Sequence, residues 1–538
     1  MRRTAGAAPA LLAAAFAVAV VAALTACGGG SPPPAGSATP DATLLRRGNG
    51  PEPDSLDPQL ARSVSAATIL RDAYEGLAML DRDGVPGAGV ARSWQLSGDR
   101  LVYTFHLRPE ARWSNGEPVV AADFVAAWRR LVDPATGSQY ADVLKPVAGA
   151  AAIIRGGAPP ATLGVVATDA QTLTVTLVAP TPYFPALAAH WSTFPTYRGV
   201  APGAPGTTVS NGAYVLTEWV VGSHVAARRN RHYWNDAATR IESVRYQHIA
   251  DADDEYARYR GGALDATYTL PQQPLARLAA THGAELHRGP QLGVYYYGFN
   301  LARPALGNAP GLRQALAMSI DRERLTAAVT GLGELPAYAW VPPGVADYGA
   351  QRFAWAAEPP AARLAEARRL YAAAGYSGTR PLRLELRFAS GPTHERIAIA
   401  VASMWHEALG VETRLVGEEF KSLLQTIGRG EAEVFQASWI GDYNDAWTFA
   451  EVLGGDFGIN LPRYKSPAYD AQLATAAGAV DAPRRRAALE AAERQLLADV
   501  PLVPLYFYVN KHLVAPRVRG WTDNVMNVVY SKDLEIAP

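Results

Sequence analysis

Hydrophobic and polar residues alternate in several short segments of the chain, and this alternation predicts β-strands. Thr172–Val178 and Leu382–Phe388 alternate along their length, and Leu101–Leu107 is rich in β-branched and aromatic residues. A period of two places successive side chains on opposite faces of a sheet. Val411–Val416 and Leu502–Val509 are also strand-like, so the chain is predicted to contain strands along most of its length.

Other segments repeat apolar residues at helical spacing and predict α-helices between the strands. The predicted helices are Asp123–Leu131, Gly311–Leu325, Pro360–Gly375, Ile397–Leu409 and Ala471–Ala498. The first of them ends near the pair Asp133-Pro134, because proline cannot continue a helix. This alternation of strands and helices predicts an α/β fold with more than one sheet.

The first 27 residues have the pattern of a secretory signal. Two arginines precede an apolar run from Ala5 to about Ala23, and the sequence Leu24-Thr25-Ala26-Cys27 follows. A positive start, an apolar core and small residues before a cleavage site are typical of exported proteins. Leu-Thr-Ala-Cys resembles the bacterial lipobox, in which the cysteine is acylated. The alternatives are a plain signal peptide and a single membrane anchor.

Cys27 is the only cysteine of the 538 residues, so it has no partner for an intramolecular disulfide. Acylation would explain a single cysteine in an exported protein, and we predict that acylated Cys27 anchors the protein to a membrane. Residues 28–41 are rich in Gly, Ser and Pro and are predicted to form a flexible tether. The protein is therefore predicted to lie in the periplasm or cell envelope as a membrane-anchored lipoprotein.

The rest of the sequence carries no motif for catalysis, for a cofactor or for a metal ion. Gly-x-Ser-x-Gly, Gly-Lys-Ser/Thr and paired cysteines do not occur. His394-Glu395 and His406-Glu407 start like a zinc-protease motif but lack its second histidine. The formal net charge is zero, which gives no reason to expect a nucleic-acid partner. We expect neither an enzyme nor a cofactor, and an exported hydrolase or peptidase is the alternative from another class.

A series of motifs, in order along the chain, resembles the family 5 extracellular solute-binding proteins. The segments that carry the resemblance are Asp72–Leu77, Gly89–Trp94, Trp113–Pro118, Val209–Tyr214, Arg231–Asn235, Tyr259–Asp265, Leu312–Ala317, Tyr464–Pro467 and Val503–Asn510. Together they span about residues 44–538. The family supplies the oligopeptide- and dipeptide-binding components of ABC importers, and the likeness is to the periplasmic oligopeptide binders.

The resemblance implies the periplasmic binding protein-like fold of class II, in which two lobes close over a ligand about a hinge of crossing strands. It implies a discontinuous first lobe (42–75, 198–291 and 510–538), an extra small domain (76–197) and a second lobe (292–509). The implied function is to capture a short peptide and deliver it to the permease subunits of an ABC importer. We expect the protein to act as a monomer.

The resemblance also implies a binding site around Asp442. In the family, an aspartate at this position binds the amino group of the peptide, and a tryptophan at the position of Trp439 lines the cleft. Gly441 belongs to the same segment. From the residues alone, Asp442 follows a glycine after an apolar strand and is better explained as a turn or capping residue. Tyr140 matches a family tyrosine that packs on the ligand, with a buried structural tyrosine as the alternative.

Tyr296 and Tyr508 lie in the tyrosine-rich segments Tyr295–Tyr297 and Tyr506–Tyr508. In the family these segments send some rings into the cleft, and the resemblance implies Tyr296 and Tyr508 as the ligand-binding rings. Because successive residues of a strand point to opposite faces, half of the rings are expected in the core.

The side of the site that would bind the carboxyl terminus of a peptide departs from the family's pattern. The substituted positions are Gln436 and Ile427 (arginine in the family), Phe420 (tryptophan), Thr330 (lysine) and Ala66 (an acidic residue). Of the cationic set only His394 remains. Losing acid and base together avoids an unpaired buried charge. Ligand length therefore stays open, and a murein peptide, a dipeptide or another small cationic solute is the alternative ligand.

Overall fold

The structure is a computed structural model that describes residues 43–455, 460–479 and 481–537. The predicted signal peptide, Cys27 and the tether lie outside these residues. In chain order the strands are β1 (Leu44–Gly48), β2 (Ala78–Leu80), β3 (Pro86–Ala88), β4 (Ala91–Leu96), β5 (Val102–Leu107), β6 (Val165–Ala167), β7 (Thr172–Thr176), β8 (Tyr214–Val220), β9 (His224–Arg229), β10 (Ser243–Gln247), β11 (Leu286–Phe299), β12 (Leu335–Pro336), β13 (Arg383–Ala389), β14 (Glu412–Glu418), β15 (Val434–Ile440), β16 (Leu502–Leu513), β17 (Val518–Arg519) and β18 (Glu535–Ile536).

The α-helices lie between these strands, and short 3-10 turns connect several of them. In chain order they are α1 (Val64–Ala73), α2 (Ala121–Val132), α3 (Ala150–Ile154), α4 (Phe184–Leu187), α5 (Ala252–Arg260), α6 (Leu275–His282), α7 (Pro304–Gly307), α8 (Pro310–Met318), α9 (Arg322–Arg324), α10 (Pro360–Ala373), α11 (Pro392–Leu409), α12 (Phe420–Gly428), α13 (Trp447–Ala450), α14 (Pro467–Gly478) and α15 (Ala482–Asp499). None of the helices in the described ranges combines the length and the hydropathy that a membrane span needs.

Three larger sheets organise the described residues. One has the strand order β1-β10-β9-β8, a second β4-β5-β7-β6, and a third β12-β16-β11-β15-β13-β14. In the third sheet β13 pairs in parallel with β14 and β15, whereas β11 runs antiparallel to β15 and β16. This mixture of parallel and antiparallel pairing with interspersed helices confirms the predicted α/β class.

Among the described residues, β11 and β16 are the two longest strands, and they pair from Leu286↔Leu513 to Gly298↔Leu502. Their register is irregular between Pro290 and Val294, where the ladder is interrupted. The predicted lobe boundaries at 291 and 510 fall within these two strands and stay predictions. A hinge needs only a few residues whose backbone angles change when two lobes move. The interrupted part of the β11–β16 ladder could supply such residues.

Buried apolar side chains form several separate clusters among the described residues. One cluster combines residues of the first two sheets with α1, α2 and the segment 514–534. Two more clusters cover the two faces of the third sheet. The alternation of β5 shows how the sequence builds them: Tyr103, Phe105 and Leu107 are buried and the residues between them are not.

The structure corrects two of the predicted helices. The segment Ala471–Ala498 is not one helix, because α14 ends at Gly478 and α15 starts at Ala482 with Asp481 as its capping residue. Gly311–Leu325 is likewise interrupted after Met318 and restarts at Arg322, where Asp321 accepts a hydrogen bond from the Arg324 amide. The other predicted helices and strands match observed elements to within a few residues at their ends.

Candidate functional site

A cavity of about 580 Å³ lies between the predicted extra domain and the predicted second lobe. One wall comes from residues in 139–146 and 178–190, and the other from residues in 442–451 with Ala477 and Arg485. Its size is in the range of small-molecule sites, and its lining is mainly apolar and aromatic. Asp442 and Tyr140, both predicted from the sequence to bind ligand, lie on opposite walls of this cavity.

Asp442 is placed by the end of β15. Gly441 donates its amide hydrogen to the Leu292 carbonyl oxygen at 2.8 Å, and a side chain on Gly441 would approach the Leu292 Cδ2 atom to 2.6 Å. Only glycine allows this close approach of the turn to β11. Gly441 therefore acts by packing, and it directs the next residue, Asp442, into the cavity.

The carboxylate of Asp442 has no hydrogen bond and no ion pair among the described residues. The Asp442 side chain is open to solvent on the side of the cavity. Protein surrounds it on its other sides, and this partial burial raises the pKa of its carboxyl. Its charge contributes to the raised pKa of Tyr140, after the larger effect of burial. An acid that is both accessible and unpaired inside a cavity is poised to receive a cation from a ligand.

Tyr140 forms part of the facing wall. Its hydroxyl donates to the Arg62 carbonyl oxygen at 3.5 Å, and its ring centroid lies 4.8 Å from that of His190 and 5.1 Å from that of Trp191. The ring is half-buried. Both predicted roles for Tyr140, ligand contact and structural packing, are compatible with this position.

Trp439 does not line this cavity. It pairs with Val294 across the β11–β15 ladder and packs with Phe435 and Ala437, on the face of β15 that covers a hydrophobic core. Its indole nitrogen is buried without a hydrogen-bond partner. Tyr296 shares this face and is 5% exposed, with its ring edge-on to Trp340 at 5.0 Å between centroids. Tyr296 was expected in the cleft, but in this conformation its ring lies in the core and does not line the cavity.

Tyr508 and His394 belong to an aromatic row on the opposite face of the same sheet. The Tyr506 ring lies 5.3 Å from that of Tyr508 and 4.8 Å from that of Tyr295, and the Tyr295 hydroxyl is 3.1 Å from His394 Nδ1. Burial lowers the pKa of His394, which favours the neutral imidazole. In this conformation His394 is a hydrogen-bonding partner of Tyr295, and its role toward a ligand carboxylate stays a prediction.

Gln436 and Phe420 have opposite environments. Gln436 is 5% exposed, and its side-chain oxygen accepts a hydrogen bond from the Ala389 amide at 3.1 Å, which ties β15 to β13. Phe420 is 58% exposed at the start of α12, and Leu424 one turn later is exposed as well. Gln436 is occupied within the sheet, whereas the Phe420 ring is free to meet another surface.

Three residues beside Asp442 were not among the predicted site residues. Glu451 and Trp447 lie on the same wall, and Tyr183 on the facing wall stacks on Tyr443 with 4.8 Å between ring centroids. The four-residue spacing of Trp447 and Glu451 is visible in the sequence and predicts that they share a helix face. That this face turns toward Asp442 depends on the fold.

Arg71 on α1 is a further residue that the sequence did not single out. Its guanidinium lies 5.1 Å from the centroid of the Trp191 ring and has no hydrogen bond or ion pair among the described residues. Burial lowers its pKa, and its charge is felt by Tyr140 and His190. Within the described part of the chain, no group of three or more potential metal ligands is present.

The fold is that of a class II solute-binding protein, and an unpaired acid lies in the cavity between the predicted extra domain and the predicted second lobe. The chain belongs to the bacterial extracellular solute-binding proteins, family 5, whose model matches residues 86–460. It is 38% identical over 515 residues to the periplasmic oligopeptide-binding protein OppA of Escherichia coli, covering 93% of this chain and 94% of that one.

Two solved structures of peptide-binding proteins are similar to this chain over most of its length. The unliganded open form of the murein tripeptide-binding protein MppA matches with a TM-score of 0.86 at 37% identity, covering 92% of this chain and 98% of that one. The complex of Haemophilus influenzae OppA with the peptide RPPGFSPFR matches with a TM-score of 0.72 at 36% identity, covering 93% and 99%. The backbone is thus more similar to the unliganded open form of MppA than to the peptide complex of OppA.

Proposed function

We propose that this protein is the substrate-binding lipoprotein of an ABC importer, which captures short peptides between its lobes and delivers them to permease subunits. The observation that carries the proposal is the unpaired carboxylate of Asp442 in the cavity of a chain of this family. A free amino terminus is the group that all linear peptides share, and it supplies the missing positive charge. Relatives that bind oligopeptides and murein tripeptide support a peptide as ligand.

Binding and release are proposed to follow from closure of the two lobes. The predicted lobe I (42–75, 198–291 and 510–538) and lobe III (292–509) would approach about β11 and β16, with the extra domain (76–197) carrying Tyr140. A ligand that touches both lobes stabilises the closed state by its differential contacts. The exposed Phe420 ring on α12 would then gain a contact on closure.

Mass spectrometry of ligands released by denaturing the purified protein tests this function directly. Short peptides that share a free amino terminus are the expected result. A protein that carries no peptide and binds none from a peptide library would refute the proposal. Cleavage of the library would instead support the alternative of an exported hydrolase or peptidase.

Replacing Cys27 with alanine is expected to release the protein from the membrane. The proposed anchor is an acyl chain on this cysteine, and membrane affinity grows with each buried CH₂ group. Fractionation of cells that express the wild type and the Cys27→Ala variant measures the change. If both versions sediment with membranes to the same extent, the lipoprotein assignment is wrong.

Peptide affinity is expected to fall as the pH drops through the pKa of Asp442, which burial raises above its usual 3.8. Above this pKa the charged carboxylate pairs with the ligand ammonium, and below it the neutral acid does not. The ligand ammonium itself loses its proton above about pH 8, so the affinity also decreases there. Titration calorimetry between about pH 4 and pH 9 measures the peptide affinity through both decreases, the acidic limb and the alkaline limb of the profile.

The matched control for this pH profile is the Asp442→Asn variant. The peptide used should have an uncharged first side chain, because Glu451 also titrates beside the cavity. Both the decrease in affinity at acidic pH and the decrease at alkaline pH should flatten in the variant, because both depend on the same charge pair. An acidic limb that persists with the same midpoint would show that another group controls it.

A further inference from the structure

A second carboxylate, that of Glu451, lies in the lining of the same cavity as Asp442. Glu451 follows α13 directly and is held by two neutral donors. The Tyr443 hydroxyl donates to its Oε1 atom at 3.0 Å, and the Trp447 indole nitrogen donates to its Oε2 atom at 2.7 Å. These bonds fix the orientation of the carboxylate but supply no positive charge.

The two carboxylates are close enough to influence each other. Burial raises the pKa of Glu451, and the negative charges of Asp442 and Asp445 raise it further, whereas its two hydrogen bonds lower it. Two like charges in a partly buried site repel each other, and a ligand cation placed near both would relieve this repulsion.

Each of the other charged groups of the lining has a partner of opposite charge, either within the lining or directly behind it. Arg485 binds Asp445 through two nitrogen–oxygen contacts of 2.8 Å, and Lys145 lies 2.7 Å from Asp142. Burial lowers the pKa of His190 to about 3, so its ring is uncharged at pH 7. Among the described residues of the lining, Asp442 and Glu451 are therefore the two acids without an ion-pair partner.

The remaining surface of the cavity suits a cation on an apolar stem. Tyr183 stacks on Tyr443 and lies 6.1 Å from Trp447 between ring centroids, so aromatic rings stand beside the Glu451 carboxylate. Aromatic faces attract cations and pack against methylene groups. A cavity with these rings and about 580 Å³ of space has room for a side chain in addition to an amino terminus.

We propose that this cavity makes the protein selective for peptides whose first residue is basic. Asp442 takes the terminal ammonium, and Glu451 takes the positive charge at the end of the first side chain. The inference rests on the proposed function and adds to it a ligand class, peptides with an amino-terminal lysine or arginine.

Titration calorimetry of the whole protein with three peptides tests the selectivity. The peptides are Lys-Ala-Ala, its uncharged analogue norleucine-Ala-Ala, and Ala-Lys-Ala, which moves the charge to the second residue. Lys-Ala-Ala is expected to bind about tenfold or more tightly than either of the others, as one charge-assisted hydrogen bond provides. Equal affinities for the three peptides would overturn the inference.

The Glu451→Gln variant assigns the preference to one side chain. Its amide can keep both hydrogen bonds, because the oxygen accepts from Trp447 while the NH₂ group donates to the Tyr443 hydroxyl. The variant should lose the preference, binding Lys-Ala-Ala and norleucine-Ala-Ala with equal affinity, and an unchanged urea unfolding midpoint would show that it is folded. Glu358→Gln, an exposed glutamate outside the cavity, is the matched control and should keep the preference. A preference that survives in Glu451→Gln would overturn the assignment.

The outcomes separate this inference from the function on which it rests. If norleucine-Ala-Ala binds in an Asp442-dependent manner and as tightly as Lys-Ala-Ala, peptide capture stands and the basic-residue selectivity falls. If none of the three peptides binds, the proposed function falls as well. 1,5-Diaminopentane carries the same two charges without a peptide, and binding of it as tight as that of Lys-Ala-Ala would replace the peptide by a free diamine.

Discussion

Replacing Asp442 with asparagine is expected to weaken the binding of a short peptide about 100-fold, because one partner of a desolvated charge pair is lost. The substitution keeps the shape of the side chain and removes its charge. In the unliganded protein the carboxylate has no partner among the described residues, so the folded state loses no contact. Titration calorimetry with one tripeptide compares the variant with the wild type.

The same loss can be produced from the side of the ligand. An amino-terminally acetylated form of the tripeptide lacks the cation and should bind the wild type about as weakly as the free peptide binds Asp442→Asn. The two changes together should cost little more than either alone, since both remove one interaction. Asp253→Asn, at an exposed position in α5, is the control variant. Full affinity of Asp442→Asn for the free peptide would refute the assignment of Asp442.

Replacing Asp265 with asparagine is expected to lower the free energy of unfolding by about 3 kcal/mol. The Asp265 carboxylate is fully buried and binds two arginines, with Arg46 Nη2 at 2.9 Å and Arg517 Nη2 at 2.6 Å from its Oδ1 atom. The Arg46 amide also donates to it at 2.7 Å. Removing its charge leaves two guanidinium groups without their shared partner. Both arginines are about one fifth exposed, which keeps the expected effect at the lower end of the range for buried pairs.

Urea unfolding measures this effect, with Asp254→Asn as the matched control. Asp254 pairs with Arg258 at 3.0 Å on the surface of α5, and both side chains are close to half exposed. An exposed pair of this kind contributes about 0.5 kcal/mol, so the control should unfold almost like the wild type. Equal unfolding midpoints for Asp265→Asn and Asp254→Asn would show that the buried triad does not stabilise the fold.

The position of Asp265 also bears on the predicted domain organisation. Arg46, Asp265 and Arg517 come from the three separate stretches of chain assigned to the first lobe, and one carboxylate joins them. A strong effect of Asp265→Asn would therefore support the assignment of these stretches to one folding unit. The predicted boundaries themselves remain a proposal.

Local patterns in the sequence were enough to predict most elements but not their interruptions. The predicted helix over 471–498 has apolar residues on both sides of the break, so periodicity alone joined α14 to α15. The break was marked by Asp481 and Pro483, since a capping aspartate followed by proline starts a helix and proline removes a backbone donor. The capping signal was therefore present in the sequence, but the prediction of a single helix relied on the helical spacing of the apolar residues instead.

The tyrosine-rich strands show where sequence reasoning reached its limit. Alternation predicted that half of the rings would be core but not which half, and Tyr296, which we expected in the cleft, is only 5% exposed. The same alternation could not tell which face of β15 meets the ligand. Trp439 lies with Tyr296 on the core face because β11 and β15 pair in register, and only the pairing of distant strands fixes this.

The sequence by itself determined the α/β class, the family and the candidate role of Asp442, because these depend on local periodicity and on motifs in a fixed order. The tertiary structure decided which charges are left unpaired. Asp445 is neutralised by Arg485 from 40 residues away, whereas Asp442 and Glu451 find no cation among the described residues. The charge balance of a cavity depends on distances between side chains that are remote in sequence, and a linear pattern carries no record of those distances.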